Sequence, residues 1–202
     1  MDYRRTYRSA AVTFVDLVGR VPADRLDGPG LGDWSLRALI GHTLSSALVQ
    51  VPTVLGTPTA PVNVAAPEGY FAFVRDVPAE VYAAALAASE VDAHDSAASI
   101  DDAGALAGRA TQALAAVGDD DVVSTPVGGM RVRDWLPTRT FELVVHGTDV
   151  ALAADVPVEF DPAAASEATL LAAKIAVALG DGPVVLRALT GRASLPGTFS
   201  VV

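Results

Sequence analysis

Two side chains that can bind a metal stand four residues apart in one predicted helix of the chain. Glu142 and His146 have this spacing, which places them on the same face of an α-helix about one turn apart. They can converge on a single ion, and His42 from another helix can supply a third ligand. Two nitrogens and one oxygen suit Zn²⁺ with an open fourth position, or Fe²⁺, Ni²⁺ or Mn²⁺ held by two histidines and a carboxylate. The three residues therefore predict a metal centre with a position open for chemistry or ligand exchange.

The spacing of this pair also fits an ordinary contact on a helix surface, and two features of the context favour the metal. Glu142 and His146 border the apolar face of their helix closely. His42 stands among small residues, such as Ser45 and Ser46, that leave room for a bound group. The context therefore brings the metal hypothesis level with the surface-pair interpretation, and both stay open on these residues alone.

The sequence contains no cysteine. This excludes disulfides, thiolate metal ligands and a sulfur nucleophile supplied by the chain itself. The order of residues typical of a Ser-His-Asp hydrolase, a phosphate-binding loop and the glycine pattern of a dinucleotide-binding fold are also missing. The histidine and glutamate constellation is therefore the chemistry that the sequence offers.

The composition bounds the fold class and the partners. Hydrophobic residues, rich in alanine, make up 51% of the 202 residues, which favours packed helices around one main core. The 24 acidic residues outnumber the 14 basic ones and no stripe of arginines is present, so we expect no nucleic-acid partner. Asp16 interrupts the first apolar run, which argues against a signal peptide, and we expect no segment of about 20 apolar residues that could span a membrane. The sequence predicts a soluble, cytoplasmic protein.

Hydrophobic periodicity places the candidate ligands on two helices. His42 falls in a helix over residues 36–51 that Asp33 or Ser35 can cap. Glu142 and His146 fall in a long core helix over residues 132–154, in which Pro137 is expected in the first turn. The other predicted helices cover residues 3–21, 69–76, 79–90, 103–117 and 163–179.

The pattern changes after Gly180 to two short apolar runs, 184–189 and 199–202, which predict a pair of strands joined through Gly191 and Gly197. The fold class is therefore expected to be mainly α, with a short C-terminal α/β extension of one helix and a strand pair.

Two sequence motifs resemble those of a known family. They are DWSLRALIGH at residues 33–42 and RTFELVVHGTDVA at residues 139–151. The mycothiol-dependent maleylpyruvate isomerase family, a branch of the DinB-like four-helix metalloproteins, has a helix led by Trp that ends in His and a second helix with Glu-x-x-x-His-Gly-x-Asp. The resemblance covers residues 3–154, and it implies a four-helix bundle, which we place at residues 1–155, followed by the α/β extension at residues 156–202. Residues 186–196 are similar to part of that family's C-terminal α/β portion, which is strongly shortened here.

The resemblance implies that His42, Glu142 and His146 are zinc ligands, and that the metal activates a low-molecular-weight thiol, mycothiol in that family. The lack of cysteine agrees with this, because the sulfur would then come from outside the chain. We expect an isomerase or S-transferase that acts on a small electrophile, as a monomer or homodimer. The alternative is a non-catalytic protein that binds a metal or a small molecule on the same bundle.

Three further residues are candidates for the reaction. Asp149 can orient His146 through its second ring nitrogen, or be an exposed helix acid. Arg139 can receive a substrate carboxylate, although an ion pair with Glu142 is the simpler interpretation. Arg192 resembles an arginine that the family places near the metal. The third histidine, His94, is expected to be a solvated surface residue.

Overall fold

The computed structural model describes residues 2–57, 61–75 and 100–202 of the chain. Helices dominate these residues, as the composition predicts. The helices are α1 (Tyr3–Gly19), α2 (Leu36–Leu44), α3 (Gln50–Leu55), α4 (Pro67–Arg75), α5 (Ala103–Ala115), α6 (Val132–Ala154), α7 (Pro162–Ala178) and α8 (Gly182–Leu189). A π-helical turn, Ser45–Val49, joins α2 to α3. An antiparallel hairpin of β1 (Val122–Thr125) and β2 (Gly128–Arg131) precedes α6.

Within the described residues, the bundle consists of α1, the continuous segment from α2 to α3, α5 and α6, with α6 at its centre. Helix α1 packs against α5 and α6, the α2 segment packs against α6, and α3 packs against α5. Helices α4 and α7 cover α6 and contact each other. The core between these helices is closed by fully buried side chains such as Phe14, Leu39 and Trp135. The prediction of a mainly α fold built on a helical bundle is confirmed.

The two ligand-bearing helices are where the periodicity places them, with two differences. Ser35 caps α2 by accepting a hydrogen bond from the Ala38 N–H, at 3.2 Å. The helix continues through the π turn to Leu55 and includes Pro52, beyond its predicted end near residue 51. Helix α6 spans the predicted residues 132–154, but Pro137 is the sixth residue and lies in the interior rather than in the first turn. Both prolines remove one helical N–H donor, and neither ends its helix.

The predicted C-terminal strand pair is wrong. Residues 182–189 form helix α8, and residues 199–202 have no regular secondary structure. Pro183 is at the start of α8, where its missing N–H costs nothing, and Gly191 turns the chain beyond the end of the helix with a φ of 71°. A short apolar run without a neighbouring strand satisfies its backbone groups better as a helix than as an isolated strand. Among the described residues the strand pair is instead the β1–β2 hairpin, where the β-branched residues Val122, Val123 and Thr125 precede a turn.

The extension predicted at residues 156–202 begins with a helix that shares the core of the bundle. Ala164, Leu171 and Ile175 of α7 belong to the same hydrophobic cluster as the bundle residues. The domain boundary near residue 155 stays a prediction. The helix predicted at residues 79–90 and the surface position predicted for His94 lie outside the described residues.

One helical stretch is longer and more apolar than the sequence led us to expect. The segment Leu36–Leu55 is long and apolar enough to cross a membrane by length and composition alone. Half of its most apolar part is buried inside the fold, where it forms a wall of the core. The core helix of a bundle passes the same test, so this stretch is not a clear membrane span.

Candidate metal centre

The first candidate ligand, His42, is held by the turn that leads into α2. The N–H of Gly30 donates to the carbonyl oxygen of Trp34 at 2.8 Å. A Cβ on Gly30 would lie 2.7 Å from the Ser35 carbonyl oxygen, so the turn requires glycine. It presents the half-buried Trp34 ring to the His42 ring, with 4.8 Å between the ring centroids and 55° between the planes. Trp34 therefore limits the rotation of the His42 imidazole.

The second and third candidate ligands come from adjacent turns of α6. His146 Nε2 lies 3.3 Å from Glu142 Oε2, and His42 Nε2 lies 3.8 Å from the same oxygen. One ligand atom from each of the three residues lies within 4.8 Å of the other two. The three side chains are 14 to 20% exposed, so the cluster is mostly desolvated but still reached by solvent. The fold therefore brings together the three residues that the sequence singled out.

These separations suit a small cation. Zinc bonds of about 2.0 to 2.1 Å in a tetrahedral arrangement place neighbouring donor atoms about 3.4 Å apart. The distances of 3.3 and 3.8 Å from Glu142 Oε2 to the two imidazole nitrogens lie close to this value. One oxygen and two nitrogens are also a donor set that Zn²⁺, Ni²⁺, Fe²⁺ and Mn²⁺ accept. The residues present therefore fit a divalent ion with at least one further position open.

Asp149 contacts the outer nitrogen of the His146 ring. Its Oδ2 lies 3.2 Å from His146 Nδ1, while Nε2 on the other side of the ring faces Glu142. Burial by itself lowers the pKa of His146, but hydrogen bonds with Asp149 and Glu142 outweigh it and raise that pKa to about 9. Such a carboxylate fixes the ring so that Nε2 can bind an ion while Nδ1 keeps its proton. The geometry fits the orienting interpretation of Asp149 better than that of an exposed helix acid.

Glu142 and His42 have shifted pKa values for different reasons. Burial raises the pKa of Glu142, but a hydrogen bond with His146 and the nearby Arg139 charge lower it to about 2. Burial lowers the pKa of His42 to about 4, against the opposing attraction of Glu142. At neutral pH one ligand is an anion and one imidazole is neutral, so both are ready to bind a cation.

Arg139 is a buried structural neighbour of the ligands. It is 2% exposed, and its Nη2 lies 4.0 Å from Glu142 Oε1. Its Nη1 donates to the Ser46 carbonyl oxygen at 2.9 Å and to Gln50 Oε1 at 2.7 Å. The guanidinium also lies over the Tyr70 ring, 4.8 Å from its centroid. These contacts fit the simpler interpretation of an ion pair with Glu142, and a role in receiving a substrate carboxylate stays a prediction.

Arg192 lies apart from the other candidates. It follows α8, is exposed, and its Nη1 donates to the carbonyl oxygen of Thr190 two residues earlier. Helix α8 packs against α7 rather than against the ligand-bearing face of α6. The structure gives Arg192 no contact with the metal cluster among the described residues, so its catalytic role stays a prediction.

Several residues around the ligands escaped the sequence analysis. Tyr7, Gln50 and Tyr70 are brought to this region by tertiary packing, and nothing in their local sequence marks them. Trp34 leads the first motif, and its ring contacts His42. Pro52 lies inside the continuing helix directly after the π turn, and this proline is the local sequence signal for the irregular turn.

Comparison with known proteins agrees with the arrangement of this centre. The family model described as the mycothiol maleylpyruvate isomerase N-terminal domain matches residues 7–151, which include the bundle and all three candidate ligands. Neither a curated protein nor a solved structure matches the chain.

Proposed function

Because the chain belongs to the mycothiol maleylpyruvate isomerase N-terminal domain family, we propose that it is a metal-dependent enzyme that uses an external thiol. His42, Glu142 and His146 hold a divalent ion, with Zn²⁺ as the first candidate and Ni²⁺, Fe²⁺ and Mn²⁺ as the others. The thiol is a low-molecular-weight one such as mycothiol. It is transferred to a small electrophile, or it assists the cis–trans isomerisation of an unsaturated acid.

One observation carries this proposal, namely that two imidazoles and one carboxylate converge in a cluster that is mostly buried but partly exposed to solvent. Side chains from α2 and α6 meet there within 4.8 Å. A purely structural ion is usually enclosed by four protein ligands, whereas three ligands with solvent on one side are typical of sites that exchange a ligand.

The charges around the cluster favour an anionic ligand. Glu142 and Asp149 supply two negative charges and Arg139 one positive charge, so a divalent ion leaves one net positive charge in a mostly desolvated site. When bound, such an ion lowers the pKa of a thiol so that it binds as the thiolate. The chain has no cysteine to occupy that position itself.

The protein side chains then have separate roles. Asp149 holds His146 with Nε2 toward the ion, and the hydrogen bond with His146 together with the Arg139 charge keeps the pKa of Glu142 low inside the fold. Trp34 packs against the His42 ring. We place the enzyme in the cytoplasm as a soluble protein, since this thiol chemistry needs a reducing compartment, and the excess of acidic residues leaves nucleic acid out as a partner.

Metal analysis of the purified protein tests the site. We expect about one divalent ion per chain in the wild type and none in the His42→Ala, His146→Ala double variant. The matched control is His94→Ala, which removes the third histidine of the sequence and should keep the ion. Full occupancy in the double variant would refute the site.

Thiol binding is tested by thermal shift with mycothiol, bacillithiol and glutathione, each with metal-loaded and metal-free protein. One thiol should stabilise the loaded protein, and the shift should vanish without metal because the thiolate needs the ion. Turnover is then followed by mixing that thiol with a maleylpyruvate-like electrophile and measuring adduct or isomer. Equal shifts with and without metal would contradict thiol binding at the ion.

The second candidate function is a non-catalytic metal-binding or small-molecule-binding protein. The placement of Arg192, exposed and hydrogen-bonded within its own turn, favours it, because the resemblance assigned that arginine to the reaction. Metal occupancy with thiol binding but without turnover on any electrophile would support this function over the enzyme.

A further inference from the structure

The helix that carries His42 contains a π turn directly after the ligand. In this turn, Ser45–Val49, the N–H of Gln50 donates to the carbonyl oxygen of Ser45, five residues earlier. A π turn inserts one residue into the helix, so it changes the rotation of the side chains before it relative to those after it by about 100°. The position of His42 relative to the core residues of α3 therefore depends on this turn.

Pro52 removes a hydrogen-bond donor from the same region. Pro52 is the third residue of α3, and in the four-residue register of that helix it would donate to the Leu48 carbonyl oxygen, but proline has no N–H. The preceding residue, Ala47, is fully buried, and its carbonyl oxygen accepts a hydrogen bond from outside the helix.

The donor to Ala47 is Tyr7 of α1. Its hydroxyl donates to the Ala47 carbonyl oxygen at 2.7 Å, and both residues are fully buried. Burial raises the pKa of Tyr7, which keeps the phenol protonated as a donor. From α6, Arg139 Nη1 donates to the neighbouring Ser46 carbonyl oxygen at 2.9 Å. Two buried side chains from α1 and α6 thus hold consecutive carbonyl groups of the turn.

We propose that Tyr7 and Arg139 are positioning residues for the metal centre, which hold the π turn and thereby fix His42 opposite Glu142 and His146. This inference rests on the proposed function, since it concerns the same three ligands. Arg139 links the turn to the ligands directly, because its Nη1 donates to the Ser46 carbonyl oxygen and its Nη2 lies 4.0 Å from Glu142 Oε1. Tyr7 acts only through the turn, which makes it the cleaner probe.

The test compares Tyr7→Phe with Thr6→Val. Tyr7→Phe removes one hydroxyl and leaves the Ala47 carbonyl oxygen without that donor. Thr6→Val, its control, removes the buried hydroxyl of the preceding residue, which donates to Glu167 on α7. Each variant is checked for folding by circular dichroism and denaturant unfolding, and its Zn²⁺ affinity is measured by competition with a chelator. Both should be less stable, but only Tyr7→Phe should bind Zn²⁺ about 10- to 100-fold more weakly, the range found when support around metal ligands is removed.

A spectroscopic reading and a second variant complete the test. Co²⁺-loaded Tyr7→Phe should show a visible absorption band changed in position and intensity, while Thr6→Val keeps the wild-type spectrum. Arg139→Lys keeps a positive charge near Glu142 but cannot hold Ser46, Gln50 and Thr138 together, so it should also lose affinity.

Wild-type affinity and spectra in Tyr7→Phe, or equal losses in Tyr7→Phe and Thr6→Val, would overturn the positioning role. The metal site itself is tested separately with His42→Ala, which should lose the metal binding that the wild type shows. If the wild type itself binds no metal, the proposed function and this inference fail together.

Discussion

Metal binding should release one proton per ion at pH 7, and that proton should come from His146. At this pH Glu142, with a pKa of about 2, is ionised, and His42, with a pKa of about 4, is neutral. His146, with a pKa of about 9, is protonated and must lose the proton on Nε2 before it can bind an ion. In the metal-free protein this raised pKa stabilises the fold below the ordinary value near 6.5, and the contribution is lost as the pH rises through 9.

The size of the effect follows from the same pKa values. About 99% of His146 is protonated at pH 7, which weakens the apparent metal affinity about 100-fold relative to the deprotonated site. The affinity should therefore rise about tenfold per pH unit from pH 6.5 to 8.5 and level off above pH 9. The assay is calorimetric titration with Ni²⁺ in buffers of different ionisation enthalpy. We choose Ni²⁺ because water bound to Zn²⁺ can itself ionise near pH 7.

Asp149→Asn identifies the source of the proton. Removing the carboxylate that raises the pKa of His146 should bring proton release at pH 9 from about one half toward zero. The control is Asp134→Asn on the same helix, about 18 Å from His146 along the helix axis. It should leave the number of protons released per bound ion unchanged. Proton release from His146 would be contradicted by a binding enthalpy at pH 7 that does not depend on the buffer. It would also be contradicted by a metal affinity that does not change from pH 6.5 to 8.5.

Three further predictions concern stability. Gly147→Ala places a Cβ 2.5 Å from Phe160 Cζ and should lower the unfolding free energy by about 1 to 3 kcal/mol, measured by denaturant unfolding. Its control is Gly108→Ala, which has open space around the new Cβ and should be neutral or stabilising. Equal effects of the two variants would contradict the packing role of Gly147. Glu167→Gln should raise the unfolding free energy at pH 7.5, because burial raises the pKa of Glu167 and its Oε1 has no hydrogen-bond donor. The difference in unfolding free energy from the wild type should vanish near pH 4, where Glu167 is protonated, and a larger stabilisation at pH 4 than at pH 7.5 would contradict this. Removing the metal by chelation should lower the unfolding free energy by about 2.7 kcal/mol when free metal stood at 100 times its Kd, and chelation should not affect the His42→Ala, His146→Ala variant.

The ligand-bearing helices could be predicted from the sequence because their signals are local. Apolar spacing, the Ser35 cap and the turn around Gly30 each act within a few residues, so they place His42 on one helix and Glu142 and His146 on another. Four-residue spacing on a helix also guarantees that Glu142 and His146 are neighbours.

The C-terminal part was predicted wrongly because a short apolar run has no period of its own. Residues 184–189 suit a buried strand and an amphipathic helix equally well, and the choice depends on whether another strand is available to pair with. The β1–β2 hairpin shows the converse case, since Val122–Thr125 becomes a strand because Gly128–Arg131 lies antiparallel to it.

The groups that could act are visible in the sequence, namely two histidines and one carboxylate on two helices in a chain without cysteine. That His42 faces the other two ligands depends on the fold, because the packing of α2 against α6 joins residues about 100 positions apart. The fold also decides the protonation of the cluster, since the pKa shifts of His42 and His146 depend on burial and on partners that meet only in the fold. The hydrogen bond that holds the π turn also depends on the fold, because Tyr7 reaches the Ala47 carbonyl oxygen only when α1 packs against the bundle.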